Sequence, residues 1–124
     1  MAGELILLVE DNEKNMKLFR DVFRATGHRT LEASTAGQAV MLATKHGPAL
    51  VVMDIRLPDM TGLEALSRLR MDERTARIPV IAVTAQAMKG DRERFVEAGF
   101  DGYLSKPVDI DELLAIVEQH CGGA

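Results

Sequence analysis

The sequence lacks tryptophan, contains one cysteine, and has only 4% aromatic residues among its 124 positions. Because 47% of the residues are hydrophobic, a packed core is still expected, built mostly from Leu, Val, Ile, Ala and Met. The single cysteine, Cys121, cannot form an internal disulfide bond, which fits a reducing, cytoplasmic setting. We interpret Cys121 as an incidental thiol.

Clustered basic residues and long apolar runs are also missing. The net charge of -4 disfavours nucleic acid as a partner, since binding to phosphate backbones needs clustered Lys and Arg. No apolar run approaches the roughly 18 residues of a membrane-spanning helix. The first residues have no basic flank of the kind found in signal peptides. These absences predict a cytoplasmic protein that binds neither nucleic acid nor membrane.

Strand-like and helix-like segments alternate five times along the chain. Apolar runs predict strands at residues 4–10, 28–33, 49–53, 80–84 and 102–105. Helical spacing and capping residues predict helices at 13–27, from Ser34 or Thr35 to Gly47, and at 62–72, 91–99 and 109–121. The start of the fourth helix is ambiguous, because Gly90 could lie inside it. The alternation predicts one doubly wound α/β domain over residues 1–124 with a five-stranded parallel sheet.

Chemically active side chains follow four of the five predicted strands. Open α/β sheets bind ligands at the carboxyl ends of their strands, so residues at those positions share one rim. They are Glu10 and Asp11 at the end of the first strand, Asp54 at the end of the third, Thr84 at the end of the fourth, and Lys106 at the end of the fifth. A single acid at a strand end is ordinary, but contributions from four strands at one rim predict a site.

The residue types at this rim indicate phosphoryl chemistry. Three neighbouring carboxylates repel each other unless a cation is bound, and oxygen-only ligation suits Mg²⁺. A lysine and a hydroxyl beside the cation suit phosphoryl oxygens, and a carboxylate can act as the nucleophile. We therefore predict a Mg²⁺-dependent site in which Asp54 accepts a phosphoryl group and Glu10 and Asp11 bind the metal. The plainer alternative is that the acid pair caps a helix and Lys106 lies in a solvated turn.

Four stretches, in their order and spacing, resemble the receiver domain of bacterial two-component response regulators. They are VEDN (9–12), MDIRLPDMTG (53–62), VIAVTA (80–85) and YLSKP (103–107). The resemblance covers essentially the whole chain and leaves no residues for an output domain. It implies a flavodoxin- and CheY-like (βα)5 fold with strand order 2-1-3-4-5. The stretches EDNEKNMKLF and VTAQAMKGDRERFVEAG are similar to the DivK type of single-domain regulator.

The resemblance implies a role for each residue of the rim. Asp54 matches the phosphoacceptor, and Glu10 and Asp11 match the acidic pair that binds Mg²⁺, for which Mn²⁺ is an expected substitute. The backbone carbonyl of Arg56 is implied as a further metal ligand. The remaining matches are Thr84 as the switch hydroxyl, Lys106 as the lysine that pairs with a phosphoryl oxygen, and Tyr103 as the switch aromatic, with the Lys106–Pro107 bond usually cis.

Partners and kinetics are implied in the same way. The phosphoryl donor would be a sensor histidine kinase or a histidine phosphotransfer protein, and the chain would be no enzyme beyond self-catalysed transfer and autodephosphorylation. A downstream protein would bind the face formed by the fourth helix, fifth strand and fifth helix, where the expected residues are Ala85, Met88, Lys89 and Tyr103. Arg56 and Gln86 would tune the lifetime of the phosphorylated form, unless they are only solvated loop residues.

Three other functions are weighed against this one. A phosphatase that forms an aspartyl-phosphate would want a second aspartate two residues after the nucleophile, and Arg56 occupies that position. A nucleotide-binding module would need a glycine-rich phosphate loop, and neither G-x-G-x-x-G nor G-x-x-x-x-G-K-[ST] occurs. A receiver-like module that binds partners without phosphorylation remains as the main alternative.

Overall fold

The computed structural model describes residues 3–85 and 90–120 and confirms the predicted alternation of strands and helices. The strands are β1 Leu5–Val9, β2 Arg29–Ala33, β3 Leu50–Asp54, β4 Val80–Thr84 and β5 Gly102–Ser105. The helices are α1 Glu13–Ala25, α2 Ala36–His46, α3 Gly62–Met71, α4 Asp91–Ala98 and α5 Ile110–His120. All strand pairs are parallel, in the order β2-β1-β3-β4-β5, as the resemblance implied.

Hydrophobic layers cover both faces of the sheet. Successive side chains of a strand point to opposite faces, so Leu7 and Val9 pack into one layer and Ile6 and Leu8 into the other. The first layer lies under α2, α3 and α4, and the second under α1 and α5. The core is mainly aliphatic, as expected, yet all four phenylalanines of the sequence are also buried: Phe19, Phe23, Phe95 and Phe100.

Side chains at the helix starts resolve the ambiguous boundaries. Thr35, rather than Ser34, is the N-cap of α2, and its hydroxyl accepts a hydrogen bond from the Gln38 N–H. Gly90 precedes α4 in the left-handed conformation (φ 90°), so it lies outside that helix. Asp109 caps α5 by accepting from the backbone of Asp111 and Glu112. A hydrogen bond fixes the first residue of α2 and of α5, and a backbone angle fixes that of α4.

The third strand lies one residue further along the chain than its apolar run, over Leu50–Asp54 instead of 49–53. Asp54 is still paired with Val83 of β4, and the Ile55 N–H continues the ladder by donating to the Val83 carbonyl at 2.9 Å. The nucleophile candidate is therefore held by the sheet itself rather than by a loop. Within residues 3–85 and 90–120, no helix is long and apolar enough to cross a membrane.

Candidate functional site

Side chains from the residue after β1, the end of β3 and the loop after β5 meet at the carboxyl edge of the sheet. Asp54 is 5% exposed and Glu10 only 2% exposed. The Lys106 ammonium lies between them, with Nζ 2.8 Å from Asp54 Oδ2 and 2.9 Å from Glu10 Oε1. Residues 44 or more positions apart in sequence thus form one charged cluster, as the strand-end pattern predicted.

Glu10 is a buried carboxylate whose contacts only partly stabilise its negative charge. Its Oε2 accepts a hydrogen bond from the Asn12 N–H at 3.2 Å. Its Oε1 is buried and lacks a well-directed hydrogen bond, although the ammonium is close. Burial, followed by the neighbouring Asp54 carboxyl, raises the pKa of Glu10 to about 7, and Lys106 offsets only part of this effect. Near neutral pH, Glu10 is therefore protonated in a substantial fraction of molecules unless a further cation lies close to it.

The three acids predicted to bind metal do lie together. One carboxylate oxygen each from Glu10, Asp11 and Asp54 can be found within 4.8 Å of one another. Asp11 is exposed, so one side of the cluster opens to solvent. An all-oxygen donor set, an open side for water, and a buried Glu10 oxygen without a hydrogen bond suit a hydrated Mg²⁺. The residues present fit the expected metal.

The loop from β3 to α3 begins directly after Asp54, the last residue of β3. The Arg56 N–H donates to Asp54 Oδ1 at 3.0 Å and fixes the second oxygen of that carboxylate. Arg56 also forms an isolated bridge with Thr61, and the Gly62 N–H donates to the Ile55 carbonyl at 2.7 Å. These bonds fold the loop into a closed turn beside the acid cluster. The role of the Arg56 carbonyl as a metal ligand stays a prediction.

Gly62 has a packing role that its place in a turn did not reveal. A Cβ atom at this position would lie 2.9 Å from the Ile55 Cα and 3.0 Å from the Asp54 carbonyl oxygen. Both neighbours are backbone atoms and cannot swing away. The first residue of α3 is therefore glycine because the helix starts in contact with the end of β3.

Thr84 is the last residue of β4, and Lys106 directly follows the adjacent strand β5. Thr84 is buried at the end of β4, and its carbonyl accepts a hydrogen bond from the Lys106 N–H at 2.8 Å. The Lys106–Pro107 peptide bond is cis, as the resemblance implied. Although burial alone would lower the pKa of Lys106, its contacts with Asp54 and Glu10 together raise it. Lys106 is therefore a stable cation at neutral pH.

Tyr103 lies at one side of a surface groove next to the site. Its ring stacks on Phe95 of α4, with centroids 5.5 Å apart and planes inclined by 29°. The groove has a volume of about 590 Å³ and lies between α4, β5 and α5, where Glu93 and Glu112 form part of its wall. Sequence reasoning missed Phe95 as the partner of Tyr103, although its place on the buried stripe of α4 was a usable signal. Ala85 is exposed just after Thr84.

Several of the predicted residues fall outside the part of the chain that the structure describes. They are Gln86, Met88, Lys89 and Cys121. Their predicted roles, lifetime tuning for Gln86, output contacts for Met88 and Lys89, and an incidental thiol for Cys121, stay predictions.

Comparison with known proteins identifies a family and several relatives that this chain resembles over most of its length. The response regulator receiver domain family matches residues 6–118. Polar-differentiation response regulators named DivK are similar over nearly the full length. The protein from Brucella ovis is 45% identical over 119 residues, which cover 96% of this chain and 97% of the relative, and that from Brucella anthropi is 44% identical.

Solved structures of receiver domains superpose closely on the fold. The receiver domain of a sensor histidine kinase from Pseudomonas aeruginosa PAO1 is 38% identical, with a TM-score of 0.89 over 98% of this chain and 100% of that one. That crystal structure contains a magnesium ion coordinated in the active site cleft. A putative response regulator from Chloroflexus aurantiacus is 26% identical, also with a TM-score of 0.89, over 94% of this chain and 96% of that one.

Proposed function

This chain belongs to the response regulator receiver domain family and is DivK-like, and from that premise we propose that Asp54 accepts a phosphoryl group from a phosphohistidine donor. The donor is a sensor histidine kinase or a histidine phosphotransfer protein. The observation that supports the proposal most strongly is the contact of one buried aspartate with one lysine, Asp54 Oδ2 to Lys106 Nζ at 2.8 Å, within a cluster of three acids. We also propose that the protein acts in the cytoplasm.

The two oxygens of Asp54 are already oriented before any donor binds. The Arg56 N–H holds Oδ1 and the Lys106 ammonium holds Oδ2. A carboxylate oxygen attacks phosphorus, the new O–P bond forms, and the P–N bond electrons return to the donor imidazole. Glu10, Asp11 and Asp54 would hold Mg²⁺, which would neutralise carboxylate and phosphoryl charge. Lys106 and Thr84 then donate to phosphoryl oxygens of the product.

The product differs from the starting site enough to act as a switch. An aspartyl-phosphate adds roughly two negative charges and three acceptor oxygens at one strand end. A shift of a two-state equilibrium from 1:99 to 99:1 needs about 5.5 kcal/mol, which a few charge-assisted hydrogen bonds can supply. Thr84 moves toward the phosphoryl group, and Tyr103 changes its contact with Phe95. The groove between α4, β5 and α5 thereby changes shape for a protein partner.

No further enzymatic activity is part of the proposal. The phosphoryl group is lost again by hydrolysis that the same site promotes, and Arg56 and Gln86 tune its rate from positions two residues beyond Asp54 and Thr84. The position of Arg56 supports this role, because its side chain is exposed and its backbone N–H donates to the Asp54 carboxylate.

Mg²⁺ is expected to stabilise the protein strongly, because it neutralises a cluster with excess negative charge. At a concentration about 100 times the dissociation constant, Mg²⁺ adds about 2.7 kcal/mol to the free energy of unfolding. For a chain of this size this corresponds to a rise in Tm of roughly 10 °C. Thermal unfolding followed by circular dichroism, with and without Mg²⁺, measures the shift.

Asp11→Asn tests whether the metal binds where we propose. Asp11 is exposed, so its replacement, which removes one negative charge from the cluster, should leave the Tm without Mg²⁺ unchanged or slightly higher while it removes most of the Mg²⁺ shift. Glu118→Gln, which neutralises an exposed acid of α5, is the matched control and should keep the full shift. An Asp11→Asn protein that responds to Mg²⁺ like wild type would place the metal elsewhere.

Phosphorylation should change the groove between α4, β5 and α5 as well as the acid cluster. We expect Mg²⁺ with beryllofluoride, a phosphoryl mimic, to move the amide NMR signals of Thr84, Tyr103 and Lys106, and those of Glu112 and Ile116 across the groove. Mg²⁺ alone should move signals near Glu10 but not those of α5. Changes confined to the acid cluster would instead favour a receiver-like module that binds partners without a phosphorylation switch.

A further inference from the structure

Asp59 connects the loop after the phosphoacceptor to a different helix. It lies in the β3–α3 loop, yet its Oδ1 accepts from the Ala36 N–H at 2.8 Å and its Oδ2 from the Gly37 N–H at 2.9 Å. These are the first two backbone donors of α2, 22 and 23 residues away in sequence. The hydrogen bonds from Gly37 and then Ala36 hold the pKa of Asp59 below its usual range. A charged bidentate contact therefore joins the two elements.

The Asp59 carboxylate supplies the negative charge that complements the N-terminus of α2. The first turns of α1, α3 and α5 each contain an acidic residue that complements the helix dipole, and the first turn of α2 contains none. Its own N-cap, Thr35, accepts a hydrogen bond from the Gln38 N–H. The carboxylate of Asp59 thus supplies from the loop what the other helices supply from their own sequence.

The same contact restrains the loop at its outer end. The hydrogen bonds at Arg56 and Gly62 close the loop on itself, whereas Asp59 attaches it to a second element. Leu57 and Met60 pack against the core, but apolar contacts have no preferred direction and do not fix peptide orientation. Two directed hydrogen bonds to a rigid helix do fix it.

We propose that Asp59 is a positioning residue for the metal site, which anchors the β3–α3 loop on α2 and so holds the backbone at Arg56 against Asp54. The inference rests on the proposed Mg²⁺-dependent function, since it concerns how well the loop is organised to complete that site. Residues that hold metal ligands in place typically affect metal affinity by about 10- to 100-fold. Loss of the Asp59 anchor should weaken Mg²⁺ binding by about tenfold, the low end of that range, because the acids themselves remain.

The chain contains a matched control for the competing idea that Asp59 only caps α2. Thr35→Ala removes a cap from the same helix without touching the loop, and it should lower the Tm by roughly 4 °C. Asp59→Ala should lower the Tm by a similar amount and also weaken Mg²⁺ binding. Asp59→Asn retains one acceptor oxygen and should fall between wild type and Asp59→Ala in Mg²⁺ affinity.

Two measurements on the three variants and wild type decide the question. The first is the Mg²⁺ dissociation constant from titration followed by NMR or calorimetry. The second is amide hydrogen exchange in the metal-free proteins, where Asp59→Ala should accelerate exchange at Arg56 and Gly62 by about tenfold or more, and Thr35→Ala should not. Equal Mg²⁺ affinities in Asp59→Ala and Thr35→Ala, or unchanged exchange at Arg56 and Gly62 in Asp59→Ala, would overturn the proposal. Failure of the wild type to bind Mg²⁺ would instead overturn the proposed function.

Discussion

Replacement of Asp54 by asparagine is expected to abolish phosphoryl uptake. With Mg²⁺ and acetyl phosphate, the wild-type protein should gain about one phosphoryl group per chain, and Asp54→Asn should gain none above background. The amide has no anionic oxygen to attack phosphorus, and it also removes one of the three acids of the metal cluster. Intact mass spectrometry, which detects the added phosphoryl group directly, is the appropriate measurement.

The choice of control makes this result specific to one carboxylate. Asp21→Asn changes the same side chain in the same way on the exposed surface of α1, where Asp21 pairs only with Lys17 of the same helix in the described contacts, and uptake should match wild type. Phosphoryl uptake by Asp54→Asn at the wild-type level would show that another residue is the acceptor and that the proposed chemistry is wrong.

Replacement of Lys106 by methionine is expected to produce the largest loss of stability. Lys106 is the only cation that contacts Glu10 and Asp54 among the described contacts, and its side chain is only 18% exposed. Without it, two buried carboxyl groups face each other, and the unfolding free energy of the metal-free protein should fall by roughly 3 kcal/mol, near the low end for a broken buried ion pair. Denaturation by urea at neutral pH measures this change.

Mg²⁺ should restore part of this loss, because the metal and the ammonium compensate the same carboxylates. The stabilisation by Mg²⁺ is therefore expected to be larger in Lys106→Met than in wild type. Lys17→Met is the matched control: Lys17 also pairs with an aspartate, but its side chain is 68% exposed, so the expected loss is about 0.5 kcal/mol or less. Similar losses for the two variants would mean that Lys106 does not balance the charge of the buried cluster.

The sequence by itself determined the order of elements and indicated which acids and which lysine meet at the carboxyl ends of the strands. Apolar periodicity is a local property, so β3 and α3 are visible in single stretches of sequence. The rim residues were predictable because parallel strands place their carboxyl ends on one edge, and Asp54 follows directly from an apolar run. Errors at this level were small, such as the one-residue shift of β3, because strand ends depend on pairing with a neighbouring strand.

Only the tertiary structure decided which groups touch and which face outward. The Lys106 ammonium lies between two acids that are 44 residues apart in sequence, Tyr103 stacks on Phe95, and Asp59 caps a helix from a distant loop. Each of these contacts depends on side-chain direction and on the spacing between elements. Neither quantity is set by local composition, because close packing of the whole domain fixes them together.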